Sequence, residues 1–130
     1  MLYHTPTRRE SILLNQDLHI HSVWSTGDGA VVPEQTIPFI AEIGHATIRG
    51  MSDHFDYLAD GQFVGYAESC RKYGFYAGTE VNGHKWTVEA LSYPFDYYIY
   101  HCRDRKRDYT GAEQLLTSGK PVIIAHPFTL

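Results

Sequence analysis

Six residues of two chemical kinds recur at comparable places in this chain: His19, His21, His54, Glu80, His101 and His126. Each sits in or closes a short apolar run: "DLHIHS", "ATIRGMSDH", "FYAGTEV", "FDYYIYHC" and "KPVIIAHP". A single histidine beside an apolar run is normally a half-buried structural residue. An H-x-H pair alone is also a weak signal. Five runs that all close on His or Glu point further. Gathered in one place, these imidazoles would repel one another if protonated. A divalent transition metal would hold them in the neutral, ligating form. A carboxylate among imidazoles can bridge two ions, which suits Glu80. Glu80 and His101 are therefore the candidate catalytic residues. His4, His45 and His84 have no such setting and read as structural histidines, although His84 lies near Glu80 in sequence.

The elements needed to gather these residues follow from periodicity. "DLHIHS" alternates Leu18 and Ile20 with His19 and His21, which predicts a strand with both imidazoles on one face. "STGDGA" reads as a turn. "VPEQTIPFIAEIG" predicts a first helix, with Pro33 in its first turn, Gly44 as its stop and Pro38 kinking or shortening it. "ATIRGMSDH" predicts a second strand. "GQFVGYAESCRKYG" predicts a second helix, with Phe63, Ala67 and Cys70 on one face. "FYAGTEV" and "FDYYIYHC" predict strands three and four, and the stretch from Asn82 to Pro94 gives no clear signal. "CRDRKRDY" reads as a charged loop and "TGAEQLLTSG" as a short helix capped by Thr110. "KPVIIAHP" predicts a fifth strand, whose unbroken apolar run is typical of a buried parallel strand. Such alternation implies an α/β fold with parallel strands. Function in these folds gathers at the C-terminal strand ends, where His21, His54, Glu80, His101 and His126 fall, with His19 one step earlier.

The totals agree with one globular domain. The chain has 130 residues, 43% hydrophobic and 20% charged, with a net charge of −4. Residues 1–16 read as an N-terminal arm and 17–130 as the domain. Cys70 and Cys102 form no C-x-x-C pair, which fits a reduced setting without disulfides. No apolar run reaches the ~18 residues of a membrane span or the core of a signal peptide. A cytoplasmic location away from membranes is expected.

The quoted pieces also carry a likeness. "DLHIHSVWSTGDG", "GMSDH", "GTEVN", "FDYYIYH" and "IIAHP", in that order, resemble the PHP (polymerase and histidinol phosphatase) superfamily of metal-dependent phosphoesterases. The resemblance covers most of the chain from Asp17 to Pro127. It implies a distorted, TIM-like (β/α)7 barrel and a site for two or three divalent ions, variously zinc, manganese or iron. On that pattern His19 and His21 hold a first ion and Glu80 bridges it to a second, which His101 and His126 complete. Asp28 and His54 hold a third, and Asp53 supports His54. Asp28 lies between glycines, so turn chemistry is its competing reading. The family's later D-x-H motif does not follow His126 in this sequence, and about five strands stand against the family's seven. The expected barrel is therefore incomplete, to be finished by another copy in a homo-oligomer or by a second chain.

The leading expectation is hydrolysis of a small phosphate ester by a metal-activated hydroxide. No G-x-S-x-G elbow or marked cysteine suggests a protein nucleophile. Arg103 and Arg105, with Arg107, stand where a substrate phosphate could be gripped; the plainer reading is a solvated charged loop. The alternative function is a catalytically degenerate metal-binding or interaction module. Action on nucleic-acid ends has least support, because the net charge is acidic and the one basic run is short.

Overall fold

The computed structural model describes residues 13–125 apart from Asp104, together with the backbone but not the side chain of Arg105. His126 lies outside the described residues, as does residue span 1–12 of the expected arm. The elements run β1 (Leu14–Asp17), α1 (Ile37–Ile43), β2 (Ala46–Met51), α2 (Phe55–Leu58), α3 (Phe63–Lys72), β3 (Tyr76–Ala77) and β4 (Thr79–Asn82). A 3₁₀ turn (His84–Trp86), α4 (Thr87–Leu91), β5 (Tyr98–His101), α5 (Arg105–Leu116) and β6 (Val122–Ala125) follow.

All strand pairs are parallel, and neighbours follow chain order: β1-β2-β3 in one sheet and β4-β5-β6 in the other. The fold is thus mixed α/β with parallel strands in two sheets, and the described residues form no closed barrel. The two sheets meet in one extended segment, residues 76–82. Tyr76 and Ala77 pair with Gly50 and Met51, whereas Thr79 to Asn82 pair with Tyr98 to His101. Gly78 is the point of exchange. Its N–H still donates to Met51 O (2.9 Å), and Glu80 N–H donates to Asp53 O (3.0 Å). Tyr97 explains the glycines there. A Cβ on Gly78 would lie 2.4 Å from the Tyr97 ring, and one on Gly50 would lie 2.3 Å from its hydroxyl. That hydroxyl sits 2.5 Å from Leu18 O and 3.0 Å from Met51 O, so its proton serves two segments.

Local chemistry sets the helix bounds. Thr36 caps α1 by accepting from Phe39 N–H, Pro38 falls in the first turn where its missing N–H is harmless, and Gly44 ends the helix with φ 59°. Pro38 therefore marks a short helix rather than a kink, and Pro33 lies ahead of it. In α3, Phe63, Tyr66, Ala67 and Cys70 are buried at helical spacing. They join Met51, Phe55, Leu58, Phe75, Val81, Phe95, Tyr98, Tyr100 and Leu115 in the main core between sheet and helices. A smaller cluster of Leu18, Tyr97, Ile99 and Ala125 gathers residues from the first, fifth and sixth strand regions.

Three expectations are corrected. The first strand is Leu14–Asp17, so it starts inside the segment read as an arm and ends before His19; both histidines of "DLHIHS" lie in the loop beyond it. The charged segment after β5 is largely helical: α5 begins at Arg105, and Thr110 lies inside it. Its first turn is fixed by Asp108, which is buried and accepts hydrogen bonds from Arg103 N–H, His84 N–H (3.0 Å) and Tyr100 OH (3.0 Å). Strand β6 is present, but Ile123 and Ile124 are 37% and 39% exposed, so its apolar run is not buried among the described residues. Finally, no helix of the described residues is long and apolar enough to cross a membrane.

Candidate metal centre

The segments after β1 and β2, together with β4, bring His19, His21, His54 and Glu80 together, with Asp28 beside them. His19 and His21 follow β1, His54 follows β2 and forms an isolated parallel bridge with Glu80, and Glu80 lies within β4. Glu80 is buried and central. Its Oε1 lies 2.7 Å from His19 Nε2 and 3.5 Å from His21 Nε2, and its Oε2 lies 2.9 Å from His54 Nδ1. On the other side of His54, Nε2 is 3.3 Å from Asp28 Oδ2.

Two trios result, His19–His21–Glu80 and His21–Asp28–His54, each with ligand atoms within 4.8 Å of one another. His21 belongs to both. Its Nδ1 is buried without a hydrogen-bond partner among the described residues. The donor set fits a cation. Ligand atoms about 2.0–2.1 Å from a tetrahedral zinc lie ~3.3 Å apart, and the 2.7 and 3.5 Å separations around Glu80 bracket that value. Mixed imidazole and carboxylate donors accept several first-row metals.

Electrostatics favours charge on Glu80, His54 and Asp28. Burial raises the Glu80 carboxyl, and hydrogen bonds from His19, His21 and His54 more than reverse this, leaving it well below the usual carboxylate range. Burial lowers the His54 imidazole, and the hydrogen bond and charge of Glu80 outweigh it, so its pKa is raised. Asp28 is lowered, first by the hydrogen bond from Ala30 N–H and then, against some burial, by His54. Asp28 therefore serves both of its readings. Oδ1 accepts from Ala30 N–H (2.9 Å) as a turn residue, and Oδ2 faces His54.

His54 Nδ1 lies 2.9 Å from Glu80 and also 2.8 Å from Asn82 Nδ2. One ring nitrogen cannot donate to the carboxylate and accept from the amide together. Donation to Glu80 leaves Nε2 turned to Asp28, the tautomer needed to ligate beside it.

Asp53 does not join either trio. Fully buried, it accepts from Ser22 N–H (2.6 Å), Ser22 OH (2.8 Å) and Ser25 OH (2.7 Å). Ser25 Oγ in turn accepts His54 N–H (3.0 Å), so Asp53 supports His54 through a serine. Burial raises the Asp53 carboxyl, and the serine hydrogen bonds act against that rise.

His101 closes β5 as expected but belongs to neither trio among the described residues; its Nδ1 lies 3.3 Å from Asn82 Oδ1. Arg103 lines a cleft of about 240 Å³ together with Asp28, His54, Tyr57 and Asn82, on the open side of the His21–Asp28–His54 trio. His84 contacts Asp108 (3.3 Å), in keeping with a structural histidine. Sequence reasoning missed Ser22, Ser25 and Asn82. Asn82 had a signal: it lies two residues after Glu80 and so shares its face of the strand.

Comparisons with family models, with curated proteins and with solved structures find no match to this chain.

Proposed function

We propose that the chain is a PHP-type domain that hydrolyses a small phosphate ester with two or three divalent ions. The parallel wall would be a stretch of that family's TIM-like barrel. The observation that carries the reading is Glu80, a buried carboxylate touched by three imidazoles from two other strand ends. When bound, such ions lower the pKa of a water and neutralise phosphoryl charge. The protein's own residues set the frame. His21 is common to both trios, and Glu80 belongs to one and contacts His54 of the other. His54 is held by Ser25 and Glu80 in one orientation. Arg103, exposed on the cleft beside Asp28 and His54, is placed to bind a phosphoryl oxygen outside the ion cage.

Elemental analysis of purified protein, followed by turnover of an aryl phosphate with manganese or zinc, tests the proposal. Bound metal with turnover abolished in Glu80→Gln supports it; a chain that takes up no ion sinks it. Metal uptake without turnover would favour a metal-holding interaction module.

A further inference from the structure

The segment His19–Ile20–His21 lies beyond the end of β1, yet it must present two imidazoles with fixed spacing. Every polar backbone contact shown for it leads to a side chain or strand behind it. Asp17 Oδ1 accepts His19 N–H (3.2 Å). Ser52 N–H donates to Ile20 O (2.8 Å), and Gln35 Nε2 donates to His21 O (2.6 Å). Asp17 is itself engaged by His45, whose Nε2 lies 2.8 Å from Oδ2. An ionised carboxylate only accepts, so His45 carries its proton on Nε2. Among the described residues His45 Nδ1 is buried with no partner, and the ring's one polar bond there is to Asp17. Gln35 and His45 line the same apolar groove, with Ile20, Phe39, Ile40 and Ile43, and Glu80 does not line it.

We infer that His45, acting through Asp17, and Gln35, acting on the His21 carbonyl, are positioning residues that hold the two histidines in ligating geometry from behind. The inference rests on the metal reading above. It separates the two residues by what they support. His19 belongs to the Glu80 trio alone, whereas His21 belongs to both. Loss of His45 should therefore weaken one ion and loss of Gln35 should weaken two.

Calorimetric titration with zinc alone, on the full chain, tests this, alongside thermal melting of the metal-free protein. The Asp28→Asn background isolates the Glu80-side ion, and the same variants with Asp28 intact report both ions. His45→Phe is expected to raise the dissociation constant of that ion by about 10–100-fold, the usual effect of removing a group that orients a ligand, and to leave the other ion within about twofold. Gln35→Met should raise both. His45→Gln, which keeps an N–H donor at similar reach, should recover most of the affinity. An unchanged constant in His45→Phe, an equal loss at both ions that tracks a fall in Tm, or no recovery in His45→Gln would overturn the inference while leaving the metal reading intact. A wild-type chain that binds no zinc would overturn both.

Discussion

At the scale of single residues, the two trios differ in what they ask of Glu80. It is a ligand candidate in one and only orients His54 for the other. Glu80→Gln is therefore expected to remove the ion at His19 and His21 and to weaken the ion at Asp28 and His54 by about 10-fold. Asp28→Asn should remove the second ion and spare the first. Metal counts on the two variants check this asymmetry; equal losses would refute it. Arg103→Gln should raise KM for a phosphorylated substrate about 10-fold with kcat nearly unchanged, as expected when binding common to ground and transition state is lost. Unchanged steady-state kinetics would remove Arg103 from the site. Cys70 offers a separate check on burial, which pushes its thiol up to about 12. The folded value is raised, so the contribution to stability is full below the ordinary 9.0 and is lost as pH rises through about 12. Alkylation by iodoacetamide at pH 8 should reach Cys70 only after unfolding, as mass spectrometry would show.

At the scale of elements, β2, α3, β4 and β5 were legible from helical spacing in one and short apolar runs in the others. Phe63, Ala67 and Cys70 mark the buried face of α3, and the apolar runs before His54, Glu80 and His101 mark strands. The misplaced first strand shows the limit of that method. Leu18 and Ile20 alternate like a strand, but Leu18 O is met by the Tyr97 hydroxyl and Ile20 O by the N–H and hydroxyl of Ser52, one backbone bond rather than a continued ladder. Alternation reports which side chains are buried, not where their hydrogen bonds go. The same blindness hid the start of α5, where Asp108 anchors Arg103 and His84 from outside the helix's own pattern. The partner exchange at Gly78 was invisible too, since it depends on Tyr97, nineteen positions away. It makes a firm prediction. Gly78→Ala forces a methyl into that ring and should cost about 1–3 kcal/mol in urea denaturation. Much of the loss should be relieved in a Tyr97→Leu background, and a cost that persists there would point to backbone strain instead.

At the scale of the whole molecule, the candidate site was more legible than the frame around it. Strand ends converge whatever the exact strand bounds, so His19, His21, His54 and Glu80 could be paired from sequence despite the shifted first strand. The surface is where the pattern misled. Ile123 and Ile124 were read as buried, yet they stand substantially exposed on β6, the last described strand. The two point to opposite faces of the strand, and changing either to Lys should improve solubility if the face it occupies meets only water, because charge on a flanking strand discourages pairing. A fall in solubility or Tm would mean that the face is covered in the native protein. The shared segment, residues 76–82, bears on how the chain comes apart. It supplies a rung to each sheet, so neither can be peeled away while the other stays whole. Heating should accordingly give a single sharp melt with no half-denatured plateau, and the amides of this segment should be among the last to trade their protons for deuterium.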